Sequence, residues 1–332
     1  MTDIHVPPEW APHAAIWTAW PWNAAEWGGD VAPARADIAA MIAALHAGGR
    51  GERLKVLAAT PEALNNATAA LGAMAEVIAL PYGDIWLRDT GPIFARRGGE
   101  RLALRFAFNG WGGKYVMDGD ERVAAAIAAR TGAALIAHAF VLEGGAVDLD
   151  GDGALITTRQ CVLNPNRNPG WTEARAEAAL KAAFGVRRII WLDEGLANDH
   201  TDGHVDNIAR FVAPGRVVCQ APHGDDPNAA ALVAIARTLE TATDAHGRKL
   251  DVIRIPSPGR VVDEDGAALP ASHMNFIIGD AAVVVPVYSD SGDDAVRALA
   301  PLFPDRKTIG VSAHGLLRGG GSFHCITQQE PA

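Results

Sequence analysis

One order of elements recurs along the chain: strand, tight turn, strand, helix, strand. It appears at residues 92–107, 120–130 and 133–137, with its turn at Arg97-Gly98-Gly99-Glu100. It returns at 146–163, 172–184 and 188–192 around Asp150-Gly151-Asp152-Gly153, and at 204–220, 228–245 and 252–255 around Ala213-Pro214-Gly215-Arg216. A fourth copy runs over 273–288, 293–302 and 308–311, with Gly279-Asp280 at the turn. The turns have hairpin composition. The helices are alanine-rich, and Thr172 supplies an N-cap. Upstream, strands at 14–19, 54–58 and 75–80 alternate with helices at 33–46 and 61–71. Downstream, a strand at 325–328 has no chain left to form its hairpin. Its natural partner is the strand at 14–19, and that pairing closes a ring of five units, each about 60 residues long. Closure removes exposed sheet edges. The expectation is an α/β fold with pseudo-fivefold symmetry in a single domain, 1–332; no linker-like stretch divides the chain.

The bulk properties narrow the function classes. The chain has 332 residues and a net charge of -10, which argues against nucleic acid or an anionic membrane surface as its partner. Hydrophobic residues at 49% and charged residues at 20% are those of a globular protein, and no apolar run approaches a membrane span. Cys161, Cys219 and Cys325 include no closely spaced pair, so a structural zinc site is disfavoured and a reducing compartment is expected. Residues 1–8 show no signal-peptide pattern. A cytoplasmic location follows as the expectation. Trp10, Trp17, Trp20, Trp22 and Trp27 are read mainly as core. Cys161 and Cys219 are read as core thiols inside strands, and His138, His223 and His314 as surface or loop residues.

Chemistry-bearing residues collect at one place in the repeat, at or just before the first hairpin strand. Asp89 follows Trp86-Leu87-Arg88, Glu143 precedes Gly144-Gly145, His204 and Asp206 lie in Asp202-Gly203-His204-Val205-Asp206-Asn207, and Cys325 follows Gly319-Gly320-Gly321. The intervals are 54, 61 and 121 residues (89 to 143, 143 to 204, 204 to 325), close to one, one and two repeats. A ring brings such positions to its axis. His204 and Asp206, two apart on an expected strand, share a face. A cysteine with a histidine points to nucleophilic catalysis. Several acids in one confined site call for a cation, and a planar guanidinium pairs well with two carboxylates. Glu143 is left to orient or protonate. Another arrangement of the same residues is a non-haem iron face, with His273 or His314 joining His204 and Asp206; it leaves Cys325, Glu143 and Asp89 unexplained.

At these residues the chain resembles the agmatine deiminases and the related bacterial, Porphyromonas-type peptidylarginine deiminases. The resemblance is carried by Pro8-Glu9-Trp10, Trp86-Leu87-Arg88-Asp89-Thr90-Gly91-Pro92 and Phe108-Asn109-Gly110-Trp111-Gly112-Gly113-Lys114, then by Leu142-Glu143-Gly144-Gly145, the His204 motif, and the run from Gly319 to Gln329. It implies the pentein fold, a five-bladed ββαβ propeller, with no metal and no organic cofactor. It implies Cys325 as nucleophile, His204 as general acid and base, and Asp89 and Asp206 as the guanidinium clamp. Glu143 would assist proton transfer, and Trp86 and Gly321 would wall the substrate site. The implied substrate is a small cationic guanidine, agmatine first and free or peptidyl arginine as alternatives. Amidino transfer is a weaker option, and a non-catalytic pentein-like binding protein is the alternative of a different class. A homodimer is allowed. The chain departs from the pattern at His200, where many agmatine deiminases carry an acid, and at Ser322, where asparagine is common.

Overall fold

The computed structural model describes residues 3–332; Met1 and Thr2, at the head of the stretch read as lacking a signal peptide, lie outside it. The described strands form five sheets. β1 (Ile4–His5) is a short strand that the sequence did not announce. β2 (His13–Ala19), β3 (Leu54–Ala58) and β4 (Glu76–Ala79) alternate with helices Ala32–His46 and Pro61–Leu71. Four complete units follow. The first holds β5 (Ile93–Arg97), β6 (Glu100–Ala107), helix Asp120–Thr131 and β7 (Ala134–Val141). The second holds β8 (Val147–Leu149), β9 (Ala154–Thr158), helix Glu173–Phe184 and β10 (Arg188–Leu192). The third holds β11 (Ala209–Ala213), β12 (Arg216–Ala221), helix Ala229–Thr241 and β13 (Asp251–Pro256). The fourth holds β14 (Ile277–Ile278), β15 (Ala282–Val287), helix Gly292–Leu299 and β16 (Lys307–Ser312). β17 (Gln328–Pro331) comes last.

Within each unit the first two strands are antiparallel and the third is parallel to the second. The chain dictates this order. A tight turn can only return antiparallel, whereas a parallel neighbour needs the long crossover that the helix provides. β17 takes the expected partner: it runs antiparallel to β2, with Gln328 opposite Trp17, and β2 is parallel to β3. The antiparallel-then-parallel triple is thereby completed a fifth time, from the two ends of the chain. β1 adds to the outer side of β5.

Local signals explain the helices. Thr60 and Thr172 accept from the backbone N–H groups of Ala63 and Arg175 at 3.1 and 3.3 Å, and Pro61 takes a first-turn position that needs no donor. Ile38, Met41, Ile42 and Leu45, at helical spacing, are wholly buried. Each such side chain contributes about 1.5–3 kcal/mol relative to exposure. Trp17 and Trp20 are also wholly buried.

Three readings are corrected. The helix expected to reach residue 245 stops at Thr241, because the Asp244 carboxylate accepts from the backbone N–H groups of His246 and Arg248 and folds the chain into a turn instead. His138 is neither on a loop nor fully at the surface: it lies half-buried on β7, its ring stacked on Phe106 at 4.8 Å. Only Ile277–Ile278 of the strand expected from 273 is paired. No described helix is long and apolar enough to cross a membrane.

Candidate active site

The segments just ahead of β5, β8, β11, β14 and β17 carry Asp89, Glu143, His204 with Asp206, Asn275 and Cys325 respectively. Gly145 shows how closely they converge. A methyl group added there would lie 2.5 Å from His204 Nδ1, 3.0 Å from Asp89 Oδ1 and 3.2 Å from Asp206 Oδ2.

Asp89 sits in the short helix Leu87–Thr90. Its Oδ1 accepts from the Gly145 N–H at 2.9 Å, and its Oδ2 accepts from the Trp111 indole at 2.9 Å. The Asn109-to-Lys114 motif exists to deliver that indole. Gly110, Trp111, Gly112 and Gly113 all have positive φ, 52° at Trp111, a turn that only a glycine-rich run tolerates. Arg88 ties this segment to the end of the chain. Its backbone N–H donates to Cys325 O at 3.0 Å, and its guanidinium donates to the side-chain oxygens of Gln328 and Gln329 at 2.8 Å each.

Glu143 accepts from Arg167 Nε at 2.9 Å through Oε1. Its Oε2 has no protein partner and lies 3.9 Å from His204 Nε2. His204 Nδ1 lies 3.8 Å from Asp89 Oδ1, and neither ring nitrogen makes a protein hydrogen bond. Asp206 Oδ2 accepts from His324 Nδ1 at 2.7 Å and lies 3.7 Å from Cys325 Sγ, while its Oδ1 has no protein partner. Behind His324, Nε2 meets Glu9 Oε2 at 3.0 Å, and Glu9 is also bound by Arg210.

Two placements differ from the sequence reading. His204 and Asp206 are not on a strand. His204 caps the 3-10 turn Val205–Asn207, held by its own N–H to Thr201 Oγ1 at 3.1 Å. Cys325 is not at a strand start: it lies in a turn three residues before β17. Both turns still direct their side chains to the common centre. Cys161 is a third correction. It is buried as expected, but on the short helix Arg159–Val162 that Thr158 caps, not in β9. There it joins Glu143 and His204, with one metal-ligating-type atom from each within 4.8 Å of the others. The Arg167 guanidinium already sits on Glu143, which works against a metal cation there. His273 does not join His204: its ring nitrogens lie 2.7 Å from Pro286 O and 3.2 Å from Ser291 Oγ. His223 and His314 are exposed and Cys219 is buried in β12, as expected.

A cavity of about 150 Å³ leads to Cys325 and Asp89. Trp86 walls it, with Trp27 stacked behind at 6.0 Å. The triple glycine packs against this pair: a Cβ at Gly321 would meet Trp86 at 2.5 Å, and one at Gly319 would meet Trp27 at 2.6 Å. Glu26, Asp84, His200 and Arg318 line the outer part. His200 is exposed and stacks on Tyr115 at 5.6 Å.

The charges are strongly coupled. Burial, with Asp206 and Asp89 close by, pushes the Cys325 thiol well above its ordinary value. Burial opposes protonation of His204, yet the Asp89 charge and its contacts with Cys161 and Glu143 raise it well above 6.5. Burial also opposes ionisation of Asp206 and Glu143. His324 nevertheless holds Asp206 below the usual carboxylate range, and His204 with Arg167 does the same for Glu143. Asp89 is raised by burial, against the pull of His204 and with Asp206 and Glu143 adding to the rise. Chemically, the site offers a thiol, a protonated imidazole and carboxylate oxygens with unused acceptor capacity. Such a set fits a flat cation with several N–H donors.

The sequence reading missed Asn275, His324, Glu9, Arg88, Arg167, Trp111 and Cys161 as parts of this network. Asn275 had a signal: the 121-residue interval skips one repeat, and Asn275 falls 71 residues after His204 and 50 before Cys325.

Residues 5–331 match the family described as Porphyromonas-type peptidyl-arginine deiminase. The agmatine deiminase of Stutzerimonas stutzeri (strain A1501) is 38% identical over 364 residues, covering 99% of this chain and 95% of that protein. The solved structure of the agmatine deiminase of Enterococcus faecalis superposes with a TM-score of 0.92 at 30% identity, covering 99% of this chain and 96% of that one. A substrate-bound agmatine deiminase variant of C. jejuni gives a TM-score of 0.90 at 26% identity, with the same coverage.

Proposed function

Because the chain belongs to the Porphyromonas-type peptidyl-arginine deiminase family, we propose that it hydrolyses agmatine to N-carbamoylputrescine and ammonia, a step that feeds polyamine synthesis. It is a C–N hydrolase of guanidino groups. The observation that carries the reading is the cluster around Gly145: the buried acids Asp89 and Asp206 with His204, Glu143 3.9 Å from that histidine, and Cys325 Sγ 3.7 Å from Asp206.

In this reading the guanidinium lies between Asp89 and Asp206, with Trp86 alongside. Its positive charge answers the two acids that hold the Cys325 proton on, so substrate binding itself favours the thiolate. The thiolate attacks the guanidinium carbon and an S–C bond forms. The C–N bond to one terminal nitrogen breaks, and His204 gives that nitrogen its proton as ammonia leaves. Water then attacks the S-alkylthiouronium and gives its proton to His204. The S–C bond breaks as the remaining hydroxyl proton passes to the departing sulfur, releasing the ureido product and restoring the Cys325 thiol. Two steps suit a resonance-stabilised carbon. Glu143, beside His204 Nε2, steers the proton transfers.

Agmatine is favoured over arginine by the outer cavity. Glu26 and Asp84 line it, while the one arginine there, Arg318, is engaged by Glu264. An ammonium tail meets two acids, the exposed Glu26 and Asp84, which already accepts from the Ile85 N–H and the Trp86 indole; a carboxylate tail meets an arginine already paired.

The proposal extends to architecture. The five antiparallel-then-parallel triples act as blades of one five-bladed propeller, residues 1–332, in a cytoplasmic enzyme. Support comes from the β17 and β2 pairing and from the five site segments standing at equivalent places ahead of the first strands. Ammonia and ureide release from agmatine, arginine and a peptidyl arginine, compared by kcat/KM with Cys325→Ala as control, tests the chemistry. Agmatine should lead and the variant should be inactive. Release of no ureide from any of the three, or an active Cys325→Ala, overturns the reading.

A further inference from the structure

Asp206 presents two unlike oxygens. Its Oδ2 accepts from His324 Nδ1 at 2.7 Å, while its Oδ1 has no protein partner. His324 makes them unlike, and Glu9 of the Pro8-Glu9-Trp10 motif supports His324 from behind. We infer that His324 is a positioning residue for this hydrolysis: clasped between Asp206 and Glu9, it keeps Asp206 an open carboxylate with Oδ1 free for the substrate cation. The inference rests on Asp206 being part of the guanidinium clamp beside Cys325.

The geometry leaves the ring one state. Its Nε2 lies 3.0 Å from Glu9 Oε2, across the ring from the bond to Asp206. An ionised carboxylate can only accept, so a neutral ring would turn a lone pair against one of the two acids. With a donor on each nitrogen the ring is an imidazolium, and both bonds are charge-assisted. The whole arrangement is out of water: His324 is 2% exposed and Asp206 is wholly buried. Glu9 is fixed in turn. Its Oε1 accepts from the Ile278 N–H at 2.8 Å, its backbone carbonyl accepts from His13 Nε2 at 2.8 Å, and Arg210 also holds its Oε2.

The chemistry explains a cation at this place. Asp206 shares its centre with Asp89, and like charges disfavour each other's ionisation. A protonated Asp206 would offer the guanidinium a donor where an acceptor is needed. The imidazolium on Oδ2 opposes that. Both of its N–H groups are taken, and the ring stands outside the cavity lining, so it does not compete for the substrate. Glu9 balances its charge, and the site keeps its pull on a cation. Other charges face the pair: His204, Asp89 and Cys325 on the site side of Asp206, and Arg88, Arg210 and Asp148 around Glu9 and His324. All of them remain when residue 324 is replaced, so a replacement there changes one charge.

The test compares His324→Gln with His324→Asn. Glutamine removes the charge and the donor at Nδ1. Asparagine removes the charge but sets an amide nitrogen near the place of Nδ1, where it still donates to Oδ2. The readout is kcat and KM for agmatine against pH, with Cys325→Ala as control and thermal melting to report folding. Without the neighbouring cation Asp206 takes up its proton at higher pH. The acid limb of kcat/KM should therefore move toward neutral, by about one pH unit or more in the Gln variant and by less in the Asn variant. Asp89 and Glu143 share that limb, so it is read as a whole. KM should carry the change in the Gln variant, roughly tenfold higher near pH 5.5 and within about threefold of the parent near pH 8.5. A ring that only fills space would lower activity by one factor at every pH. An unmoved acid limb in a folded Gln variant, or a loss independent of pH, overturns the inference while Cys325→Ala remains inactive. If the Gln variant does not fold, the Asn variant carries the test, and an unmoved limb there overturns it equally. An active Cys325→Ala overturns the underlying reading instead.

Discussion

His204 sets the pH range in which a guanidine can lose ammonia here. Its folded value is raised well above 6.5, so it keeps its proton through neutrality and loses it only on the alkaline side. With the proton goes the general acid, and kcat/KM should fall as pH rises through that folded value. Burial pulls the value down; Asp89, Cys161 and Glu143 hold it up. Glu143→Gln removes a negative charge 3.9 Å from His204 Nε2, so the alkaline limb should move toward neutral pH as kcat drops. An alkaline limb that stays in place would separate Glu143 from His204. The values belong to the coupled Cys325 and His204 pair, so the limb is read as a whole. At this scale the sequence was informative where a residue type carries chemistry by itself. Cys325, His204 and the acids repeat at near-constant intervals. Asn275, Arg167 and His324 act through what they touch, and composition says nothing about touch. Cys161 looked like any strand thiol until the Thr158 cap turned it onto a helix beside Glu143 and His204.

The elements that present the site are short turns, and these hide behind the regular pattern. His204-Val205-Asp206 has the spacing of a strand, but Thr201 captures the His204 N–H and winds the segment into a 3-10 turn. Strand periodicity in sequence cannot report such a local bond. The same limit put the last strand at Cys325 instead of Gln328. The hairpins, helices and crossovers were legible because turn residues and apolar spacing reflect the backbone directly. At the element scale the sharpest expectation concerns Gly145, in the turn Gly144–Ala146. Its backbone carries no positive φ, so alanine is conformationally acceptable there, and the whole effect must come from the space filled. Gly145→Ala should lower kcat/KM for agmatine by roughly 100-fold or more, since small misplacements of a reacting pair cost that much. Melting should change by only a few degrees. Activity within about tenfold of the parent would mean that the acids and His204 can part around a methyl group. Gly321→Ala would press on Trp86 instead, and should act mainly through KM.

The two ends of the chain meet where β17 pairs with β2, and Glu330 makes that junction a joint between sheets. Its carboxylate accepts from the Trp17 indole at 2.9 Å and pairs with Lys55 of β3 at 3.1 Å and with Arg101 of β6 at 2.5 Å. Lys55 and Arg101 keep some contact with solvent, so Glu330→Ala should cost roughly 1–3 kcal/mol rather than the larger sum of three buried bonds. The more telling quantity is cooperativity. If the five sheets are one domain, urea should unfold them together. The probes are already distributed. Cys161 reports on the cluster beneath β8 and β9 and Cys219 on the one beneath β12, while the nine tryptophans report on several clusters at once, most of them, Trp17 and Trp20 included, on the one around β2 and β3. Tryptophan emission and thiol trapping at Cys161 and Cys219 should give coincident transitions in the parent. In Glu330→Ala all three should move to lower urea by the same amount. A tryptophan transition that moves while Cys219 stays protected would divide the chain into independent parts. In that case β17 would complete one sheet without closing the molecule.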